Sequence, residues 1–580
     1  MENMDLIEIA RGKARDWLDD AYDNETRESV RQMLQDDDPT ALVDAFYKDL
    51  EFGTGGLRGI MGAGSNRMNI YTVGAATQGF ARYINQQFPG EPRAVCIGHD
   101  CRHGSRLFAE TAAAIFSANG IDVYLFDALR PTPEVSFAIR ELGCKGGVII
   151  TASHNPKEYN GYKAYWDDGA QLVPPHDENV INEVKKIKVP DIRFERVPER
   201  IHALGEEIDR RYLEQVRQLR LAPDMPMAAR DLKIVFSPLH GTTFKLVPAS
   251  LRLWGFHAVY PVPGQDEPDG NFPTVALANP EDPAAFKMAL DVAREVDADL
   301  VMACDPDGDR IGISVKNHQG EWVLLDGNQT YLVFLEYIIR GKRRLGLLSG
   351  DEYVVKTIVT TELVKVIAEK NGIACHDVYT GFKWIADAIR HHGPEKYIGG
   401  GEESFGFMPG AFTRDKDGIA SASMMAEIAA WCKANNSSIY AFLEEIYVAY
   451  GFSRERLVQV TRQGASGARE IAGMMERLRR EPPRQLNGVD VVLRKDFLAR
   501  EAVEPLSGRR YPIPFDTASD VLQFFLADGS KVSARPSGTE PKIKFYFETR
   551  VQARDLDDLE RARSVADQRV NNMISSIMPG

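Results

Sequence analysis

Short apolar runs alternate with amphipathic stretches in the first third of the chain. The runs at 94–98, 121–126 and 147–152 are rich in β-branched residues and lie between turn residues, which predicts buried strands. The amphipathic stretches at 105–119 and 134–142 predict helices. The order strand, helix, strand, helix, strand predicts an α/β unit with parallel strands.

The same order recurs twice further along the chain. In the second copy, predicted strands at 232–237 and 257–262 alternate with predicted helices at 243–254 and 283–296, and lead to the strand of ADLVMACDPDGDR. A looser third copy runs from a strand at 353–359 through two helical stretches to YIGGGEESFG. The recurrence predicts three tandem, related α/β domains, each a mixed, mostly parallel sheet covered by helices.

The C-terminal part follows a different pattern. Apolar runs at 521–526 and 531–534 flank Asp528-Gly529, which predicts a β-hairpin, and a helix is predicted at 556–577. This pattern indicates an α+β domain. At about 150 residues per domain, a chain of 580 residues has room for four. The predicted domains are 1–205, 206–325, 326–450 and 451–580.

Composition narrows the range of partners and compartments. The net charge of −14 argues against nucleic acid and anionic membranes as partners. Apolar windows such as 331–339 are too short to span a bilayer, and the N-terminus lacks a signal-peptide pattern, so we expect a cytoplasmic protein. Six scattered cysteines suit a reducing compartment. Cys96, His99 and Cys101 are weak metal-ligand candidates, because no second ligand pair follows them.

The loop TASHNP follows the predicted strand at 147–152. It offers the hydroxyl of Ser153 at a strand exit, with His154 beside it and Lys163 beyond a turn predicted at 158–161. A serine hydrolase is disfavoured because no GxSxG motif surrounds this serine. A plain Ser-His turn remains the alternative.

The loop DPDGDR places three carboxylates at alternating positions. Asp305, Asp307 and Asp309 can converge on one hard cation, and Gly308 permits a sharp turn between them. Oxygen ligands favour Mg²⁺. An EF-hand is disfavoured because the twelfth loop position is Lys316 and not glutamate. A solvated acidic turn is the alternative.

Two further loops offer ligands for a sugar phosphate. GEESFG at 401–406 combines carboxylates and a hydroxyl between glycines, a composition suited to sugar hydroxyls, and RDKDG at 414–418 adds cations. RPSGTEPKIK at 535–544 combines cations, hydroxyls and a glycine, which suits a phosphate. Taken alone, each of these two loops is equally compatible with a surface turn.

Together and in this order, TASHNP, DPDGDR, GEESFG and RPSGTEPK resemble the motifs of the α-D-phosphohexomutase superfamily, and the resemblance extends to its phosphoglucomutase members. EFGTGGLRG near residue 55 and TGFKW at 380–384 also fit, so the matching elements run from about residue 45 to beyond 545. The resemblance implies four domains around one central cleft, three of them related α/β domains. It also implies a phosphosugar substrate, a bound Mg²⁺, glucose 1,6-bisphosphate as intermediate and activator, and a monomer or homodimer.

The resemblance further implies roles for individual residues. Ser153 would carry the transferred phosphoryl group, and Asp305, Asp307 and Asp309 would hold the metal against it. The other residues implied at the transfer site are Arg58, His154, Lys163 and Lys416. Those implied in substrate binding are Thr54, Arg310, Gly381, Glu402, Ser404, Arg535, Ser537, Gly538 and Thr539.

The implied reaction is the interconversion of α-D-glucose 1-phosphate and D-glucose 6-phosphate. GTGGLR at 53–58 replaces the GTSGLR of many members, which points toward the branch with phosphopentomutases and bisphosphate synthases. GEESFG favours glucose over the GEMSGH of dual mannose/glucose enzymes. Pentose, mannose and bisphosphate-synthase activities therefore stay open, together with a phosphatase and a non-catalytic phosphosugar sensor.

Overall fold

The computed structural model describes residues 2–52, 56–225, 231–462, 464–537 and 542–577. Its secondary structure falls into three α/β domains and a C-terminal domain built on an antiparallel sheet, which confirms the predicted fold class. None of the described helices has both the length and the apolar character needed to cross a bilayer.

Domain I carries the first sheet. Its helices are α1 Glu2–Asp16, α2 Asn24–Gln35, α3 Thr40–Phe46, α4 Ile70–Gln87, α5 Ser105–Ala118, α6 Thr132–Glu141 and α7 His176–Val184. Its strands are β1 Gly56–Ile60, β2 Ala94–His99, β3 Asp122–Phe126, β4 Gly146–Ile150, β5 Tyr159–Trp166 and β6 Ile201–Leu204. The sheet order is β1-β5-β4-β2-β3-β6, and β5 alone among these six strands runs antiparallel to both of its neighbours, β1 and β4.

Domain II carries the second sheet. Its helices are α8 Glu206–Arg217, α9 Leu246–Leu253 and α10 Lys287–Val296. Its strands are β7 Ile234–Ser237, β8 Val259–Pro261, β9 Leu300–Cys304, β10 Ile311–Lys316 and β11 Trp322–Leu325. The order is β11-β10-β9-β7-β8, and β10 alone among these five strands runs antiparallel to both of its neighbours, β11 and β9.

Domain III carries the third sheet. Its helices are α11 Gly327–Arg344, α12 Leu363–Lys370, α13 Phe382–His392, α14 Gly418–Ala434 and α15 Ile439–Tyr450. Its strands are β12 Tyr353–Thr357, β13 Ala374–Val378, β14 Tyr397–Glu402 and β15 Gly406–Met408. The order is β13-β12-β14-β15, with only β15 antiparallel among these four strands.

Domain IV forms the C-terminal part. Its helices are α16 Gly464–Arg480 and α17 Leu559–Ile577. Its strands are β16 Phe452–Thr461, β17 Gln485–Leu486, β18 Val489–Asp496, β19 Glu501–Val503, β20 Arg510–Pro512, β21 Leu522–Leu526, β22 Lys531–Pro536 and β23 Lys542–Val551. The main path is β16-β23-β22-β21-β18-β19-β20, antiparallel throughout, and the predicted hairpin is β21 and β22.

One arrangement recurs in the three α/β domains. A fully buried parallel strand (β4, β9 or β14) ends in a polar loop, and the chain then returns along the same sheet as an antiparallel strand (β5, β10 or β15). The three loops are TASHNP, DPDGDR and residues 403–405 of GEESFG. The turn predicted at 158–161 is wrong in part, because strand β5 already begins at Tyr159.

The hydrophobic cores tie the domains together. Domain I has a core on each face of its sheet, whereas a single apolar cluster runs through domains II and III. Helix α14 of domain III packs against α9 of domain II within that cluster, and a hydrogen bond of 2.7 Å joins Ser250 Oγ and Ser423 Oγ there. Domains II and III therefore form a common base against which the site loops are fixed.

Candidate active site

The four domains enclose one cavity of about 860 Å³. Many of the residues singled out in the sequence line it: Arg58, Ser153, His154, Lys163, Asp309, Arg310, Gly381, Glu402, Ser404, Lys416 and Arg535. Asp305 and Asp307 are fully buried just behind its wall. Thr54, Gly538 and Thr539 lie outside the described residues. The structure thus brings the four predicted loops to one cleft.

Ser153 lies in the tight loop between β4 and β5. Its backbone adopts a left-handed conformation with φ +52°, and its amide donates a hydrogen bond to Thr151 Oγ1 (2.8 Å). Its hydroxyl donates to Asp305 Oδ2 at 2.7 Å and lies 3.1 Å from His154 Nδ1. The side chain therefore faces the acidic loop of domain II across the domain boundary.

Arg102, which the sequence did not single out, fixes this loop from below. Its guanidinium donates to the carbonyl oxygens of Ser153 (2.5 Å), Pro156 (2.8 Å) and Tyr159 (3.1 Å), and to that of Asn155. Asp100 Oδ2 lies 3.3 Å from the Arg102 Nε, and both side chains are fully buried. A planar fork with several donors is suited to holding several carbonyls at once. The only sequence signal was its place in HDCR, directly after β2.

The acidic loop at 305–310 connects β9 to β10. One carboxylate oxygen from each of Asp305, Asp307 and Asp309 lies within 4.8 Å of the others. Gly308 has φ +71°, and a Cβ there would come within 2.5 Å of Thr243 Cγ2, so the turn requires glycine. The sharp turn brings the three carboxylates to one point.

The donors of this loop fit a divalent cation. Within the described residues, neither Asp307 Oδ1 nor Asp309 Oδ1 accepts a hydrogen bond, although both atoms are buried. Buried carboxylate oxygens without partners are costly unless a cation or a proton satisfies them. Burial, together with Asp307 and Asp309, raises the pKa of Asp305 well above its usual value. These carboxylates can therefore hold a metal of the oxygen-preferring class.

Two lysines compensate part of this negative charge. Lys163 on β5 places its Nζ 2.7 Å from Asp307 and 3.2 Å from Asp309, and Lys416 lies 3.0 Å from Asp309 and 3.1 Å from Asp415. Burial would lower the pKa of each lysine, but the carboxylates outweigh it and raise both pKa values. A lysine that acts as a base needs a lowered pKa, and the carboxylates around Lys163 and Lys416 shift the pKa of each in the opposite direction.

His154 has the opposite electrostatic setting. Burial, with Arg310 and Arg58 nearby, lowers the pKa of His154 well below its usual value. The imidazole is therefore neutral at neutral pH and can exchange a hydrogen bond with the Ser153 hydroxyl.

The loop GEESFG at 401–406, here called the sugar-type loop, meets the segment 379–384 at the wall of the cleft. The amide of Gly381 donates to Glu402 Oε1 at 2.8 Å, and φ +115° at this position favours glycine. Helix α13 begins at the next residue. Ser404 lines the cavity nearby. Glu402 is thus oriented by a backbone amide and keeps an edge toward the cavity.

The loop RPSGTEPKIK at 535–544, here called the phosphate-type loop, begins at the end of β22 in domain IV. Arg535 lies opposite Lys544 on the paired strand β23, and both side chains line the cavity. Burial lowers the pKa of Lys544. Ser537 follows the end of β22, where its amide donates to Lys542 O at 2.8 Å, and it is not among the residues lining the cavity. The described part of this loop places two cations at the end of the cleft formed by domain IV.

Two other polar residues contact side chains of the cleft and lie outside the four motifs. Glu281 forms an ion pair with Arg310, and both line the cavity. Asp415, the neighbour of Lys416, accepts hydrogen bonds from Tyr165 and Gln171 at 2.8 Å. Spacing in the sequence gave no reason to select Glu281, whereas Asp415 was present in RDKDG and was passed over.

Family comparisons agree with this arrangement along most of the chain. The models of alpha/beta/alpha domains I, II and III of the phosphoglucomutase/phosphomannomutase family match residues 49–190, 210–320 and 326–450 of this chain, respectively. The model of the C-terminal domain matches residues 477–563.

Individual relatives carry the same signal. A phosphoglucomutase of Staphylococcus epidermidis is 36% identical over 552 residues, covering 91% of this chain and 95% of the relative. One from Staphylococcus aureus is 34% identical over 571 residues, covering 97% and 98%. The crystal structure of parafusin, a phosphoglucomutase from Paramecium in an open form, shares the fold at a TM-score of 0.65 and 18% identity, covering 92% of this chain and 96% of that one.

A phosphoglucomutase/phosphomannomutase family protein from Burkholderia thailandensis shares the fold with a TM-score of 0.64 at 19% identity, covering 90% of this chain and 98% of that one. The family expected from the motifs is thereby confirmed. The chain belongs to the phosphoglucomutase/phosphomannomutase family and is a mutase, an enzyme of the isomerase class.

Proposed function

We propose that this mutase interconverts α-D-glucose 1-phosphate and D-glucose 6-phosphate through a phosphoserine at Ser153 and a glucose 1,6-bisphosphate intermediate. The observation that carries the proposal is the position of the Ser153 hydroxyl, 2.7 Å from Asp305 and open to a cleft to which all four domains contribute. The name shared by the Staphylococcus relatives, phosphoglucomutase, supports glucose as the sugar.

The chain's own residues supply positioning and charge at the transfer site. Ser153 carries the phosphoryl group, and Arg58 and Arg310 at the cavity wall donate to its oxygens. Asp305, Asp307 and Asp309 would hold Mg²⁺. The metal, when bound, neutralises charge that spreads over the phosphoryl oxygens during transfer.

Proton movement at the sugar hydroxyl falls to a lysine. Lys163 and Lys416 both reach the acidic loop and line the cavity, and each has a carboxylate partner that keeps it oriented. Both are candidates, with neutral His154 as a hydrogen-bond partner of Ser153 Oγ. Because their pKa values are raised, these lysines are protonated at the start and can give a proton to the serine oxygen when the phosphoryl group leaves. The lysine that has given its proton then takes up the one that the attacking sugar hydroxyl releases, so the proton count balances.

Substrate recognition divides between two ends of the cleft. Glu402 and Ser404, with Gly381 behind them, bind sugar hydroxyls. Arg535, with Ser537, Gly538 and Thr539 of the same loop, binds the phosphate that is not being transferred. The intermediate must turn around between the two half-reactions, so that one distal loop serves both phosphates.

The test is a coupled assay on α-D-glucose, α-D-mannose and ribose 1-phosphates, with and without catalytic glucose 1,6-bisphosphate. We expect glucose 1-phosphate to be preferred, the bisphosphate to stimulate turnover, and EDTA to abolish it. Steady release of inorganic phosphate without isomerisation would identify a phosphatase instead. Preference for ribose 1-phosphate, or net production of the bisphosphate, would place the enzyme in the branch suggested by GTGGLR.

A further inference from the structure

Segment 379–384 has one side toward the cleft and the other toward domain IV. Thr380, Gly381 and Phe382 line the central cavity. Tyr379, which is 5% exposed, belongs instead to an apolar cluster with Phe497, Ile513 and other residues of domain IV. The segment is therefore positioned between the sugar-type loop of domain III and the domain that carries Arg535.

Tyr379 makes three separate contacts with domain IV. Its ring stacks on Phe515 with centroids 4.5 Å apart and an interplanar angle of 26°. It meets Phe497 edge-on at 5.8 Å, and its hydroxyl donates to the carbonyl of Thr517 at 2.7 Å. Aromatic pairs and a buried hydrogen bond fix both the distance and the rotation of the ring.

Part of this interface is open, although Trp384 of the same segment also packs against the apolar cluster around Tyr379. A cavity of about 280 Å³ separates the segment from part of domain IV; Lys383 and Trp384 line it on one side, and Ala518, Ser519 and Arg535 on the other. Close packing cannot carry a displacement of domain IV across that gap, whereas the contacts of Tyr379 can. Arg535 lines both this cavity and the central cleft.

On its other side, the segment orients two side chains of the cleft. The amide of Gly381 holds Glu402 Oε1 at 2.8 Å, and the ring of Phe382 lies 5.3 Å from Lys416 Nζ. A shift of the segment would therefore move the carboxylate that is placed to bind sugar hydroxyls.

We propose that Tyr379, clamped by Phe515 and the Thr517 carbonyl, is a positioning residue through which domain IV sets the orientation of Glu402 and so the enzyme's selectivity among sugars. The inference rests on the proposed function, in which Glu402 binds the sugar and Arg535 binds the distal phosphate. When Arg535 of domain IV binds the phosphate, the contacts of Tyr379 then place the Glu402 carboxylate in the position where it binds the sugar.

The test uses two variants with matched controls. Tyr379→Phe removes only the hydroxyl bond, and Phe515→Leu removes the stack. Tyr353→Phe is the control for the first, because Tyr353 is also buried and its hydroxyl also donates to a carbonyl, that of Gly393 within domain III. Phe525→Leu is the control for the second, since Phe525 is a half-buried phenylalanine on β21 of the same domain.

We expect each test variant to raise KM for glucose 1-phosphate by about tenfold and to narrow the preference for glucose over mannose 1-phosphate by about as much, with kcat changed less. The controls keep KM and the preference of the parent. Tm is measured for all four variants, so that loss of stability can be separated from loss of positioning. A purely structural role would lower Tm without changing the KM or the selectivity of the folded molecules.

Unchanged KM and selectivity in both test variants of an active, selective parent would overturn the inference. A parent without mutase activity on any of these sugars would instead overturn the proposed function. The two failures are thus separate outcomes of the same measurements.

Discussion

At the scale of single residues, the site combines groups whose charges depend on one another. Asp307 and Asp309 are both held by Lys163, and Asp309 also by Lys416, so that neither of these carboxylates is isolated from a cation. Burial would raise the pKa of Asp307, as would Asp309, but Lys163 and a hydrogen bond with Asp305 together outweigh them and lower the pKa. These two carboxylates of the acidic loop are thereby kept ionised and ready for a metal.

The variant Ser153→Ala tests the nucleophile. Loss of the hydroxyl removes the only atom that can carry the phosphoryl group in the proposed mechanism, and turnover should fall by roughly 10³-fold or more. Intact-mass spectrometry should detect one phosphate on the parent and none on the variant. Ser250→Ala, which also removes a buried serine hydroxyl with a side-chain partner, is the control and should keep activity. Near-normal turnover in Ser153→Ala would contradict the assignment.

A second residue-scale prediction concerns Glu134, a fully buried carboxyl on α6. Its nearest cation, Arg130, lies 3.8 Å away and donates to Asp209 instead at 2.7 Å. Burial raises the pKa of Glu134 well above its usual value, and Asp209 raises it further. The folded protein then keeps a proton that the unfolded chain loses above its own pKa of about 4.3. Stability should therefore fall as pH rises above that value, by at most about 1.4 kcal/mol per pH unit from this group.

Glu134→Gln removes this titration while keeping the shape of the side chain. We expect the difference in Tm between variant and parent to grow in favour of the variant as pH rises from about 5 to 8. The control is Glu110→Gln, an exposed position on the neighbouring helix α5. Parallel Tm curves for Glu134→Gln and the parent would show that the carboxyl is ionised in the folded protein.

At the scale of elements, the three functional loops of the α/β domains share one construction. Each loop connects a buried parallel strand to the antiparallel strand that pairs with it, as the loop between β4 and β5 does. A loop closed by two paired strands has little freedom, which suits groups that must be held in place before the substrate arrives.

The sequence predicted the first strand of the pairs in domains I and II, but the second strand of none of the three pairs. The apolar runs of β4 and β9 are fully buried and stand out against their flanking turns. Strand β5, YNGYKAYW, instead has Asn-Gly directly after its first residue and carries Lys163 toward the cleft, so local turn propensity argued for a loop. Pairing with β4 on one side and β1 on the other overrode that propensity.

Arg102 gives a prediction at this scale, because it acts on a whole loop. Arg102→Lys keeps the charge but cannot donate to four carbonyls of the 153–159 turn at once. We expect kcat to fall by roughly 10²-fold, as a displaced nucleophile would require, with slower phosphorylation of Ser153 by glucose 1,6-bisphosphate. Arg106→Lys, on the exposed first turn of α5, should leave both unchanged. Normal phosphorylation kinetics in Arg102→Lys would refute the role.

At the scale of the whole molecule, the cleft exists because four separate domains face one another. Domains II and III share a core, which also takes in domain IV residues such as Val551. Domain IV further contacts domain III through a polar group and through the aromatic cluster around Tyr379. Lys531 of domain IV lies 2.7 Å from Glu362 of domain III and 3.0 Å from Glu548, and is 1% exposed. The motifs predicted which residues meet in the cleft, but contacts of this kind join residues without any regular spacing in the sequence.

Arg535→Ala tests the part that domain IV plays in the complete reaction. A charge-assisted bidentate contact to phosphate is worth about 1.5 to 3 kcal/mol, so KM should rise roughly 10- to 100-fold. The defect should be equal in the forward and reverse directions, because the same loop holds either phosphate, and lysine should restore little. Arg510→Ala, on the exposed strand β20, is the control. A defect in one direction alone would place the second phosphate elsewhere.

The left-handed backbone of Ser153 also restricts how this enzyme can evolve. Threonine carries the same hydroxyl, and a single base change in several serine codons produces it. At φ +52°, however, a β-branched side chain is strained, by about 1 to 3 kcal/mol. Ser153 is also only 4% exposed, so the additional methyl group of threonine would have to fit into a closely surrounded site. The exchange of serine for threonine that many proteins tolerate is thus closed at this position, whatever the sugar that the cleft selects.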